Sequence, residues 1–296
     1  MGVYAGRGEG ASAEPLGKSV YADVHRRSKN GEGLRITFTT DSFVFRHVDS
    51  FLEIHAEAGD KVFVDILPLN HTDAIIELLR HEVYYLRRLA LIEKKREELK
   101  LTKANRNDIK VLMSIEDRWF RRVSEDFLIM RRLITTFRTL SKTHQQFSNK
   151  CRAVSEEERN MLKPVIKSIE EQMKEMAAKI AEEAGKRYPA YDRLVDGLGI
   201  RGNASAMEAL AEIISYIDGG KGFVKTANLF GLFKPVRGRM KIYGRRLRQA
   251  LHRLTASVNG ITSFQLTARL EKQTLYRVWK TVREAHGRLA IPAQQE

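Results

Sequence analysis

The stretch "DKVFVDILPLNHTDAIIELLRHEVYYLRRL", residues 60–89, decides the fold. "DKVFVDILPL" is an apolar run of strand character that stops at Asp65. "HTDAIIELLRH" follows with Ile75, Ile76, Leu78 and Leu79 at helical spacing, and "EVYYLRRL" returns to strand composition. Upstream, "KSVYADVHRRS" (18–28) alternates Val20 and Ala22 with Tyr21 and Asp23, and "GLRITFTTDSF" (33–43) is again β-rich. "FVFRHVDSFLEIHAEAG" (43–59) reads as a helix. Strands alternating with helices over the first hundred residues predict an α/β sheet, whose functional residues gather at the carboxyl ends of the strands. Asp23 and Asp65 are both placed that way.

The rest of the 296-residue chain is of another kind. The formal net charge is +15 and the pI about 9.9, a balance that favours polyanionic partners, nucleic acid before membrane. From Lys221 to Glu296 there are 16 Lys and Arg against 3 Asp and Glu, so nearly all the excess charge lies in the last quarter. Residues 118–152 form a second basic stretch. The one cysteine, Cys151, excludes an internal disulfide framework and a cysteine-rich zinc site. No apolar run approaches the roughly 20 residues that span a bilayer. A cytoplasmic protein with a flexible leader over residues 1–17 is the expectation.

After Lys110 long helices are predicted. Ser155 and Glu158 make a capping box, and Leu162, Ile166, Ile169, Met173, Met176 and Ile180 follow as a heptad seam. The seam fits a coiled coil or a helix packed on its own domain. Near "LVDGLGIRGNASAMEALAEI", Gly197 and Gly199 flank Leu198 in a tight turn, and Asn203 can cap the helix after it. Helix, glycine turn, helix is the pattern of a helix-hairpin-helix, whose amides can hold a phosphate. In "GRRLRQALHRL", Leu247, Ala250, Leu251 and Leu254 form an apolar stripe, and the arginines form a basic outer face. Nucleic-acid contact is therefore expected from Arg26, Arg27, Gly197, Gly199, Arg201, Arg237, Arg239, Lys241, Arg245, Arg246 and Arg248.

Two-metal phosphodiester chemistry needs carboxylates converging from several elements on ions about 4 Å apart. Asp23 and Asp65 at strand ends, with Asp108 at a helix start in "TKANRNDIK" (102–110), supply three. The competing reading is that aspartates end strands and start helices for capping reasons alone. His25 and His144 each stand alone among basic or polar residues and read as structural or solvent-exposed. His25, two residues from Asp23, is also placed to support that carboxylate.

These segments resemble the DEDD transposases, the insertion-sequence one-ten and Piv invertase group. "YADVHRRS" resembles the family's D-V-H-K-R opening, "VFVDILP" its strand ending in glutamate, and "TKANRNDIKVL" its K-T-D-x-x-D-A motif. "LVDGLGIRGNASAMEALAEI", "FVKTANLFGLFKP" and "KIYGRRLRQALHRL" are similar to its later segments, in family order from Lys18 to Leu254. The resemblance implies a RuvC-like, ribonuclease-H-type domain over 18–115 and a basic helix with a coiled-coil-like arm over 116–188. A basic helical transposase domain over 189–296 completes it, making the class α/β plus all-α. It also implies a catalytic tetrad at Asp23, Asp65, Asn105 and Asp108, with Mg²⁺ or Mn²⁺ held by Asp23, Asp65 and Asp108. The partners implied are DNA, a structured guide RNA in some members, and further copies of the chain as a dimer or tetramer.

The chain departs from the family at three places. Asp65 stands for glutamate, and Asn105 stands for aspartate. No serine or threonine occurs between Phe230 and Leu254, where the family carries its serine nucleophile. Tyr243 is the one hydroxyl there, at the family's lysine position, while Ser257 and Ser263 lie beyond the motif. The nucleophile is unassigned. A transposase or recombinase, a transposase-derived binding protein without strand exchange, and a metal-dependent nuclease are the three functions these residues admit.

Overall fold

The computed structural model describes residues 18–26, 33–40, 44–233 and 244–289, and the chain divides into two compact units, Met1–Ser124 and Glu125–Glu296. The expected leader over 1–17, together with Arg27, Arg237, Arg239, Lys241 and Tyr243, lies outside the described residues.

The first unit is built on a six-stranded mixed sheet in the order β3-β2-β1-β4-β5-β6. Strand β1 (Ser19–Arg26) pairs antiparallel with β2 (Leu34–Thr39), which pairs antiparallel with β3 (Arg46–Val48). On its other side β1 runs parallel to β4 (Lys61–Val64), and β4 runs parallel to β5 (Glu82–Leu86). Helix α1 (Thr72–Leu78) connects those two strands, as the sequence predicts. The segment read as a helix over 43–59 instead supplies β3 and a short 3-10 turn at Phe51–Glu53. Register gives the reason: His47 pairs opposite Thr37 and accepts or donates a 2.9 Å hydrogen bond at Nδ1, while Phe51 and Ile54 are buried at the 3-10 turn that follows. A sixth strand, β6 (Phe120–Arg122), was not anticipated. Three residues are too few for a readable alternation, and β6 is fixed by antiparallel pairing to β5.

Alternation sorts the sheet residues onto two faces. Val20, Ala22 and Val24 of β1 are buried on one face, level with Phe38 and Ile36 of β2 and Val62 and Val64 of β4. Tyr21, Asp23 and His25 take the opposite face. There Tyr21, Phe63 and Tyr84 stack across three strands at ring-centre spacings of 5.0 and 5.2 Å, with Phe120 edge-on to Phe63. Helices α2 (Ala90–Glu98) and α3 (Asn105–Met113) follow β5 and pack on each other, and α3 packs on β1 and β2.

The second unit is helical. Helices α4 (Glu125–Ala153) and α5 (Glu156–Arg187) form a long antiparallel hairpin, with the Ser155–Glu158 capping box present at the turn. Along the α5 seam Ile169 and Ile180 are buried, and Met173 and Met176 are half-buried against the core that holds Ile180. Helix α6 (Tyr191–Gly197) ends in a Schellman turn, Ile200 N–H to Val195 O at 3.1 Å and Gly199 N–H to Asp196 O at 3.0 Å. That turn needs φ +67° at Gly199, where a side chain would be strained. Asn203 then caps α7 (Ala204–Tyr216) through the Ala206 amide. Helices α8 (Phe223–Leu229), α9 (Arg245–Asn259) and α10 (Ala268–Leu289) complete the unit.

Helix α7 is the axis of this core, buried on nearly every side although it carries Glu208 and Glu212. Buried carboxylates demand partners. Arg138 of α4 binds Glu212, and Arg253 of α9 binds Glu208. On α9 one turn earlier, Arg248 binds the buried Glu271 of α10 and the Phe230 carbonyl, and His252 Nδ1 lies 3.2 Å from Glu271. This corrects the expectation that Arg248 faces outward to phosphate. Its guanidinium is the counter-charge of a carboxylate only 1% exposed, and an unpaired Glu271 there would be costly. Among the described residues no helix is long and apolar enough to cross a membrane.

Candidate functional site

Asp65 directly follows the end of β4, whereas Asp23, expected at a strand end, lies within β1, which continues to Arg26 along β2 after its pairing with β4 stops at Ala22. The β1–β4 register runs to Ala22 opposite Val64, so one further step sets Asp65 beside Asp23. The chain confirms the neighbourhood at two points. Asp65 N–H reaches the Ala22 carbonyl at 3.3 Å, and Asp65 Oδ1 accepts the Val24 amide at 2.9 Å. Across β1 the same row continues through Thr37, opposite Asp23, to His47 on β3.

Helix α3 brings the third and fourth residues. Asn105 Nδ2 lies 3.1 Å from His25 Nε2, joining residues 80 apart in the sequence. With the amide nitrogen donating, Nε2 accepts and the neutral ring carries its proton at Nδ1. Nδ1 is buried without a hydrogen bond and lies 3.6 Å from Asp23 Oδ2. Burial, with Arg35 next, holds the proton affinity of His25 below its ordinary value. Asp108, one turn into α3, accepts Arg96 Nε at 2.8 Å and Nη2 at 2.6 Å on its Oδ1. Arg96 comes from the last turn of α2, and sequence reasoning missed it because nothing local marks it.

The electrostatics couple these groups. Burial, then the Asp108 charge, pushes Asp23 up to about 7, against the pull of Arg96. Burial, then the Asp23 charge, pushes Asp65 up to about 8, although backbone amides hydrogen-bond its ionised form. Desolvation outweighs those amides because the carboxylate is only 7% exposed and has no cationic partner at its own oxygens. Asp23, Asp65, Asn105 and Asp108 thus come together at one end of the sheet. In this arrangement Asp65 Oδ1 accepts the Val24 amide, Asp108 Oδ1 accepts Arg96, and Asn105 turns its amide nitrogen, not its oxygen, to His25. Among the described residues no group of three or more His, Cys, Asp or Glu side chains is set to hold a metal. With Arg96 on it, Asp108 Oδ1 does not fit a bound divalent ion in the arrangement as it stands.

The residues expected to contact nucleic acid are dispersed in the second unit. Arg245 and Arg246 are exposed on the first turn of α9, one turn before the inward-facing Arg248. Arg201 is exposed beside Asp196, with Nη2 at 2.5 Å from Oδ1. The Gly197 carbonyl accepts Arg277 Nη2 at 2.8 Å, so this turn is tied to α10. In the first unit, Arg26 ends β1. His144, read as structural, lies 3.0 Å from Glu170 across the α4–α5 hairpin. Trp279 is buried with its Nε1 donating to the Lys221 carbonyl. Comparison with known families and with curated proteins finds no match to this chain.

Proposed function

We propose that the chain is a DNA-acting protein of the DEDD transposase type, a transposase or site-specific recombinase with a RuvC-like first unit and a basic helical second unit. The observation that carries this reading is the meeting of four residues from distant parts of the sequence. Asp23 and Asp65 stand side by side on adjacent parallel strands, and α3 brings Asn105 and Asp108 to them. In capping alone, each aspartate would serve its own element. Here Asp65 hydrogen-bonds a different strand, and Asp23 and Asp108 act on each other electrostatically.

Mg²⁺ or Mn²⁺ is the cofactor the reading implies, and DNA, a structured guide RNA and further copies of the chain are the partners. The turn at Gly197–Asn203, followed by the capped start of α7, supports a helix-hairpin-helix role, and exposed Arg245 and Arg246 support phosphate contact. A second reading is a binding protein of the same descent without strand exchange. It is favoured by Asn105 and Asp108 being engaged by His25 and Arg96, and by the missing serine between Phe230 and Leu254.

Nicking of supercoiled plasmid with Mg²⁺ or Mn²⁺ separates them. The expected result is divalent-dependent nicking by the wild type, reduced about 100-fold or more in Asp23→Ala. Plasmid binding with no nicking by the wild type would overturn the catalytic reading in favour of the second.

A further inference from the structure

The feature of the cluster that neither motif nor fold anticipates is the cation already inside it. Arg96 places two nitrogens on a single oxygen of Asp108, at 2.8 and 2.6 Å, in a pair whose side chains are only 17% and 13% exposed. A guanidinium in that position fills the acceptor directions of Oδ1 and brings its positive charge to the carboxylate a divalent ion would use. Its field reaches further, since Arg96 also favours the ionised form of Asp23. Of the groups that act on the Asp23–Asp65–Asp108 carboxylates, Arg96 is thus the one that does the work of a metal.

The chain holds Arg96 there by its backbone. Helix α2 ends in a Schellman turn, with Leu101 N–H on the Arg96 carbonyl and Lys100 N–H on the Glu97 carbonyl, both at 3.0 Å. Its left-handed position is Lys100, at φ 52°, a conformation that costs about 1 kcal/mol for a residue with a side chain. The turn reverses the chain toward α3, whose first turn carries Asp108. Asn107 Nδ2 braces the connection on the Thr102 carbonyl at 2.9 Å. The last turn of α2 is thereby fixed against the first turn of α3.

We propose that Arg96 is a built-in cation that occupies Asp108 in place of a divalent ion, so that an ion enters the cluster only as Arg96 leaves Asp108. The inference rests on the cluster being the cation site of the proposed function. Arg96 acts here as a positioning residue, and its effect is read on metal binding, independently of any reaction.

Free Mn²⁺, followed by electron paramagnetic resonance in titrations of the whole chain, gives that reading. Arg96→Gln is expected to bind Mn²⁺ at least about tenfold more tightly than the wild type, within the usual range of a coupling between two competing cations. Arg96→Gln combined with Asp108→Asn is expected to lose the gain. A folded Arg96→Gln that binds Mn²⁺ no more tightly than the wild type overturns the assignment, while leaving the site reading intact wherever the wild type still nicks. The absence of Mn²⁺ binding in both overturns both. A measurement on the wild type guards against a variant that fails to fold. The Arg96 Nε–H resonance is expected to shift in step with Mg²⁺ occupancy, and a resonance unmoved while Mg²⁺ binds overturns the proposal.

Discussion

Arg138→Ala is expected to destabilise the second unit by about 3–5 kcal/mol, lowering its thermal midpoint by roughly 6–20 °C. The replaced guanidinium is the counter-charge of Glu212, which is 3% exposed on a helix otherwise surrounded by apolar side chains. Burial already pushes Glu212 up to about 7 against the attraction of Arg138, and Glu208 one turn away adds like charge. Without Arg138, Glu212 must either stay charged in the core or take up a proton at neutral pH. Both cost folding free energy. Replacing both members, Arg138→Met with Glu212→Leu, removes the unpaired charge and is expected to recover most of the loss. Calorimetry of the single and double variants checks this. Equal destabilisation by both would show that packing volume, and not charge, is what Arg138 supplies.

Asp65→Asn is expected to act in the opposite sense, stabilising the first unit at pH 8 by several kcal/mol. Asp65 has a folded-state pKa of about 8 against an ordinary 3.8. A carboxyl raised on folding contributes stability that is fully present below 3.8 and is lost as pH rises through about 8. The wild-type unit should therefore melt progressively lower between pH 5 and pH 8. Asparagine keeps an oxygen for the Val24 amide and carries no charge, so the variant should lose the Asp65 share of that pH dependence and keep the Asp23 share. At pH 5 the gap should be only about a third of its size at pH 8. The test is a pair of melting curves at pH 5 and 8, and a gap that fails to open with pH contradicts the assignment. Such a gain on removing a buried charge is what a site shaped for function rather than stability would show.

How far these features could be read in advance differs between the two units. Asp65 was legible because an apolar run ending in a carboxylate marks the end of a strand; Asp23, expected at a strand end, lies inside β1, which runs on to Arg26. That the two stand side by side was not legible, since the parallel pairing of β1 and β4 is a property of the sheet order. Strand β3 was hidden because "FRHVDSFLEI" has helix-like apolar spacing, and only its partner β2 decides the matter. On α9 the apolar stripe at Leu247, Ala250, Leu251 and Leu254 was correctly seen, and all four are buried. The inward turn of Arg248 and Arg253 was missed. Their partners Glu271 and Glu208 lie 23 and 45 residues away, beyond any local pattern. Two glutamates one turn apart in the otherwise apolar "AMEALAEII" were the signal that could have raised the question.

The account turns on Asp23, Asp65 and Asp108 forming one electrostatic site. Titration of ¹³C-labelled aspartate carboxyls by nuclear magnetic resonance, in the wild type and in Asp23→Asn, tests this most directly. The account predicts that Asp23 and Asp65 titrate near 7 and 8, and that Asp65 moves down once Asp23 can carry no charge. Ordinary midpoints for both, with Asp65 indifferent to the substitution, would contradict it.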